Sequence, residues 1–315
     1  MPASPADPLA ERPSSSPAKK LSRFAIVNVL VGAIAASAWA TERTAGGGFV
    51  GRCLGSFVRS ALSIGLICVF THAGPRISAS RSVLRLHEAA IIWAKIACYF
   101  APADAIALMC AERLGASPRG GSDDWDQAVS PASVGRRYVR FILLSFAWEV
   151  AFDFFHYWVH RACHASATLY RLVHKRHHHH CSPSPLTTYD HSVLDVMGSN
   201  LMPALLSSCV LAAAGSPIRG EPELQLLFAF KAYVEVAGHS GVDARPRSFP
   251  QFCWLPAAIT CTRTPDGYTG IAGHTREHDW HHAVLRCNFS KRFRLWDVVF
   301  GTYEWPAARC VAASG

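Results

Sequence analysis

Histidine is concentrated in the second half of this chain. Of 16 histidines, only His72 and His87 precede His156. Three runs stand out: FHYWVHRACH (155–164), HKRHHHH (174–180) and HDWHH (278–282). On an α-helix, residues at i, i+3 and i+4 share one face. That pairs His156 with His160, groups His174 with His177 and His178, and groups His278 with His281 and His282. Each group then turns its imidazoles toward one centre. Eight imidazoles on three helical faces are too many for a single four-coordinate ion, so two metals sharing them is the economical arrangement. The competing reading is a set of core histidines, each hydrogen-bonded. It would need a separate polar partner for every buried ring, because an unpaired buried imidazole costs free energy. Metal ions satisfy all of them together. His239, in EVAGHSG (235–241), is a plausible ninth ligand. His164 and His191 are weaker candidates, His274 fits either role, and His179 and His180 turn off the shared face.

Ligating imidazoles usually donate their second ring N–H to a carboxylate or carbonyl. Asp153, Asp190, Asp195, Glu235, Glu277, Asp279 and Asp297 are the acids available for this. Imidazole suits zinc, copper, iron and nickel alike, so the ligand type does not choose the metal. Thiolates are poor candidates, since the 11 cysteines are scattered and form no C-x-x-C pair.

The elements that carry these residues are apolar. Half of the 315 residues are hydrophobic and 17% are charged, against roughly a quarter charged in ordinary soluble domains. Mean hydropathy is positive. The stretch 24–40 has no charge and approaches the ~20 residues needed to cross a bilayer. It follows Lys19, Lys20 and Arg23, which favour a cytosolic amino terminus, and its Ala38-Trp39-Ala40 end also suits a cleaved signal. Further apolar segments lie near 54–72, 83–112, 138–159, 193–214 and 223–240. Several carry ionisable groups, which in a membrane face the protein interior. Three to five crossings are expected. The predicted fold is an all-α, integral-membrane helical bundle with a histidine-rich di-metal site. Residues 1–22 read as a disordered polar head, 23–133 as amino-terminal membrane helices with a polar loop, 134–305 as the catalytic domain and 306–315 as a tail. The segment 245–267 reads as irregular. The net charge of +9 suits an anionic membrane or an acidic protein partner. With basic residues scattered and no base-reading module, nucleic acid is not an expected partner.

HYWVHRACH, LVHKRHH, HSG and HDWHHAVLRCNFSKRFRLWDVVFGTY together resemble the fatty acid hydroxylase/sterol desaturase superfamily over residues 138–304. The likeness is strongest to its sterol C4-methyl oxidase and sterol C25-hydroxylase branches. The resemblance implies an endoplasmic-reticulum membrane enzyme with two non-haem iron ions in a histidine-rich di-metal site on the cytosolic side of the bundle. It also implies O2 as oxidant, and NAD(P)H electrons delivered through a cytochrome b5-type donor. The reaction would be hydroxylation, methyl oxidation or desaturation of a sterol or fatty-acyl lipid. Carried over by position, the iron ligands would be His156, His160, His174, His177, His178, His278, His281 and His282, with His239. Arg161, Lys175, Arg176, Arg286, Lys291, Arg292 and Arg294 flank the boxes and would face an acidic electron donor or lipid headgroups. A membrane zinc hydrolase, with Glu277 or Asp279 as base, and a metal transporter are the rival readings.

Overall fold

A computed structural model describes residues 17–72, 84–116, 131–180, 183–241 and 274–304. The readings made for 1–16, 117–130, 245–267 and 306–315 lie outside the described residues, which contain helices and turns but no strand.

Four helices are long and apolar enough to cross a bilayer: Ala25–Thr44, Gly48–Phe70, Leu86–Gly115 and Val193–Ala213. The first two belong to α1 (Pro17–Thr44) and α2 (Gly48–His72). Residues 17–22, read as part of the polar head, are the first turns of α1. The hairpin between α1 and α2 is made by Gly46, Gly47 and Gly48, all at positive φ, a region that glycine enters without steric cost. The two helices touch closely. A Cβ on Gly51 or Gly55 would fall 2.7 Å from the carbonyl oxygen of Glu42 or Ala38.

The third span joins α3 (Leu86–Lys95) to α4 (Ala101–Gly115) through a π-helical turn, Ile96–Phe100. The fourth joins α7 (Val193–Asp195) to α8 (Met202–Ala213) through another, Val196–Leu201. Both turns sit just ahead of a proline, Pro102 and Pro203. Proline offers no N–H and crowds the carbonyl four residues back, so the helix widens there. Between these spans lie α5 (Pro131–Ala165) and the short α6 (Ala167–Leu169). After the fourth come α9 (Glu221–Gly238), α10 (His274–Val284) and α11 (Leu295–Val299). The apolar stretches 138–159 and 223–240 therefore form helices α5 and α9, which are not among the four candidate spans.

α9 is enclosed, with Leu227 through Gly238 all buried. It packs against α1, α2 and α4, while α5 packs against α8. Arg43, at the end of α1, lies 3.7 Å from Glu221, at the start of α9. The two helices run antiparallel, so the basic start of α1 shares a side of the bundle with the His239 end of α9.

Charge inside the bundle is paired. Buried Arg59 donates to Gln225 at 2.8 Å, and Gln225 donates to Glu42 at 2.8 Å. Lys231 reaches Asp104 at 3.1 Å. Lys291 reaches Glu235 at 2.6 Å, and Arg292 reaches Glu149 at 2.7 Å. Lys291, Arg292 and Arg294 are thus buried, and Arg294 is held by Glu277. They do not face a donor or headgroups, as their position beside the third box suggests. Their acids lie on α5, α9 and α10, and these pairs fasten the 285–294 loop to the bundle. Asp153 completes the fastening. Its carboxylate accepts from the backbone N–H groups of Lys291, Arg292 and Phe293 at 2.6, 2.8 and 2.9 Å.

Candidate metal centre

The last three turns of α5 present His156, His160 and His164 at steps of four residues, on one face. The chain then reverses at Ser166, whose Oγ accepts from the Leu169 N–H at 3.3 Å. A π-helical turn, Tyr170–His174, places His174, and a single 3-10 turn, His177–His179, places His177 and His178. The tract is therefore not the regular α-helix its spacing suggests. α10 supplies His278, His281 and His282, and the end of α9 supplies His239.

These rings gather into two groups, His160, His164, His174, His178 and His281, and His177, His239, His278 and His282. Within each group one nitrogen per ring lies within 4.8 Å of all the others. All nine rings are buried except His164, which is partly buried. Each H-x-x-H-H run is split between the groups. His174 and His178 join one while His177 crosses to the other, and His278 and His282 join one while His281 crosses over. In α10, helix geometry explains the division, while in the 174–178 run the junction of a π turn and a 3-10 turn produces it. At ~100° per residue, i+4 falls ~40° to one side of i, and i+3 falls ~60° to the other. The expectation that each run faces a single centre gives way to runs that straddle two.

Backbone carbonyls aim three of the nine rings. The Nδ1–H of His160 donates to Phe289 O at 2.7 Å. His281 Nδ1 reaches Cys287 O at 2.7 Å, and His239 Nδ1 reaches Glu235 O at 2.8 Å. One loop, 285–289, thus orients two rings. It is shaped by Leu285 and Asn288 at positive φ, and the Asn288 side chain bridges to the backbone of Glu304. Asp195 is the carboxylate in this role. Its Oδ2 accepts from His174 Nδ1 at 2.9 Å and from His191 Nδ1 at 2.7 Å, and Ser199 Oγ donates to its Oδ1 at 2.5 Å.

With one nitrogen committed as donor, the other turns a lone pair inward. His174 Nε2 lies 3.0 Å from His178 Nε2, and His239 Nε2 lies 2.8 Å from His278 Nε2. If His178 donated across such a contact, its own Nδ1 would be a bare acceptor. That Nδ1 is buried with no hydrogen-bond partner, as are His160 Nε2, His281 Nε2 and His282 Nδ1. Burial holds His160, His177, His178, His281 and His282 well below the ordinary imidazole pKa, and the neighbouring rings push the same way. Neutral imidazole is the form that binds metal. Nitrogens ~2.1 Å from a common ion stand ~3.0 Å apart at right angles and ~3.4 Å apart at the tetrahedral angle, close to the contacts between the rings. The residues fit two metal ions.

Of the candidates read from sequence, eight fall in the two groups: His160, His174, His177, His178, His239, His278, His281 and His282. His156 stands beside them. Its ring centroid is 5.2 Å from that of His160, and its Nδ1 donates to Ser199 O at 2.9 Å. That carbonyl lies four residues before Pro203, which has no N–H to give it. His164, a weaker candidate from sequence, completes the group of five, and its spacing of four from His160 was the available signal. His191 stacks on His177 with centroids 4.1 Å apart and is in neither group. His179 is exposed. His180 is buried and bonded to Asp190 at 3.0 Å. Asp190 also takes Lys95 at 2.6 Å and Arg176 at 2.9 Å. Of the other acids, Asp297 caps the backbone N–H groups of Phe289 and Ser290, and Glu277 accepts from Tyr303. His274 opens α10, and its side chain lies outside the described residues.

Residues 145–302 match the family model for fatty acid hydroxylase, a span that takes in all nine grouped histidines. The chain belongs to the fatty acid hydroxylase family. Its relatives include a methylsterol monooxygenase of Aspergillus fumigatus, 29% identical over 50% of this chain and 45% of that protein. A C-4 methylsterol oxidase of Schizosaccharomyces pombe is 28% identical over 53% of this chain and 51% of its own. Human cholesterol 25-hydroxylase is 30% identical over 52% and 50%. The chain thus spans about half the length of the curated relatives it matches. No solved structure matches it.

Proposed function

We propose that this chain is a membrane-bound, non-haem di-iron enzyme that uses O2 to oxidise a C–H bond of a lipid, a sterol or fatty-acyl compound, in sterol or lipid biosynthesis. The observation that carries the reading is the pair of buried histidine groups, in each of which one nitrogen per ring lies within 4.8 Å of all the others. One ion would be held by His160, His164, His174, His178 and His281, and the other by His177, His239, His278 and His282. When bound, two iron ions supply the redox chemistry needed to activate O2.

The chain's own residues do the rest. The carbonyls of Phe289, Cys287 and Glu235 and the carboxylate of Asp195 keep Nδ1 protonated and aim the opposite nitrogen. Burial keeps the rings neutral and bulk water away. The paired charges behind the 285–294 loop hold those carbonyls in place. Electrons come from NAD(P)H through a cytochrome b5-type donor. Exposed Arg286, Lys175 and Arg176 are the basic groups left to receive it. The amino-terminal basic residues support a cytosolic histidine side of the bundle, and the reading assigns the enzyme to the endoplasmic reticulum. The names of the relatives given above support sterols as the substrate class.

The test is expression in a host lacking its own sterol oxidase, with 18O2 supplied and lipids extracted. The expected result is a lipid alcohol, or its further oxidation product, carrying 18O from the gas. Oxygen drawn only from water, with zinc as the sole bound metal, would overturn the reading in favour of a hydrolase.

A further inference from the structure

Four spans account for membrane crossing, but large apolar side chains are also exposed outside them. Leu172 is 66% exposed and Leu169 is 41% exposed. Both lie on the segment Ala167–Lys175, which joins α5 to the histidine tract. Exposed Arg171 and Lys175 lie on the same segment. An apolar pair flanked by basic residues is the pattern of a segment lying in a membrane surface.

The segment's depth is fixed by its neighbour. Ser192 Oγ, at the cap of α7, donates to Val173 O at 2.7 Å. Two turns of the same elements are joined by the bond from His174 to Asp195 at 2.9 Å. The segment is therefore bolted to the first turn of the span Val193–Ala213. That first turn exposes Val193 and Leu194, at 46% and 60%. The exposed leucines of 167–175 thus continue an apolar surface that begins on a membrane-crossing helix.

We propose that Ala167–Lys175 is a fifth membrane-contacting segment, one that rests in the lipid leaflet without crossing it. Leu169 and Leu172 enter the acyl layer, and Arg171 and Lys175 stay at the headgroups. His174 is buried in the same turn, so the histidine groups lie level with the leaflet surface rather than above it in water. A lipid chain then reaches them from within the leaflet. The inference rests on the four spans and not on the oxidase reading.

The test uses the full chain in vesicles of phosphatidylcholine and phosphatidylglycerol at a 4:1 ratio. A phosphatidylcholine with a diazirine on its acyl chain is included, and adducts are mapped by peptide mass spectrometry after illumination. Adducts on Leu169 or Leu172, alongside adducts on the four spans, are the expected result. Leu172→Asp should cut labelling of 167–175 at least several-fold while labelling of Val193–Ala213 persists; the exposed position lets the variant fold. Labelled spans with an unlabelled 167–175 would overturn the proposal. So would labelling of that segment unchanged in L172D. Neither readout requires turnover, so failure here is distinct from failure of the oxidase reading.

Discussion

Two buried polar regions of this molecule look alike in sequence and differ in kind. Inside the bundle, acids face bases: Glu42 with Arg52, Asp104 with Lys231, Glu235 with Lys291 and Glu149 with Arg292. Where the histidines meet, lone pairs face lone pairs, and buried nitrogens are left without a partner. Desolvation penalises both regions. The first is closed by the chain's own opposite charges. The second gathers ring nitrogens in a geometry that fits two cations. The contrast separates polar groups that hold a fold from polar groups suited to hold a metal.

Four perturbations sharpen that contrast. The largest effect on stability is expected from Glu235→Gln. It leaves Lys291 and Arg292 buried without their shared acid and should cost about 3–5 kcal/mol in denaturant unfolding. Metal bound per folded chain should stay unchanged, because the Glu235 carbonyl, not its carboxylate, aims His239. The reverse pattern is expected from His178→Ala. Metal affinity at the group of five should fall more than about 100-fold, beyond the effect of losing an outer partner, while the helical content seen by circular dichroism holds. If H178A unfolds the protein and E235Q strips the metal, the two regions have been assigned the wrong way round.

Asp195→Asn keeps the shape of the side chain but weakens the acceptor shared by His174 and His191. A loss of about 10–100-fold in metal affinity, read by chelator competition, is expected. Asp195→Glu should recover part of it if position as well as charge matters.

The smallest effect belongs to Asp190. Burial opposes its ionisation, but hydrogen bonds from His180, Arg176 and Lys95 outweigh that and hold its carboxyl below the usual value of 3.8. A depressed carboxyl stabilises the fold above its unfolded pKa, and that stabilisation is lost as pH falls through the folded value. Asp190→Asn should therefore cost about 1–2 kcal/mol near pH 7, a figure reduced for the half-exposed Arg176. The gap between wild type and D190N should stay flat down to pH ~4 and narrow below it. A gap that widens as the pH drops would contradict the assignment.

Much of this was legible in the chain. Four of the six apolar runs are the candidate spans, and the boxes together with HSG gave eight of the nine grouped histidines. What the sequence hid has definite physical causes. The split of each H-x-x-H-H run depends on angles of tens of degrees, so spacing places the three rings together without saying which ion each meets. The carbonyls that aim His160, His239 and His281 are backbone groups and carry no letter of their own. Pro203 was the one visible clue of that kind, since it leaves Ser199 O free for His156. Lys291, Arg292 and Arg294 looked like surface charge because the acids that bury them lie on other helices. Long-range partners of that sort are invisible to a local reading.

The most direct test of the two-ion centre is the metal content of the purified full chain in detergent, measured against protein by quantitative amino-acid analysis. Two metal atoms per chain are expected, with fewer in H178A and an unchanged ratio in E235Q. A wild-type chain that folds and holds no metal would contradict it.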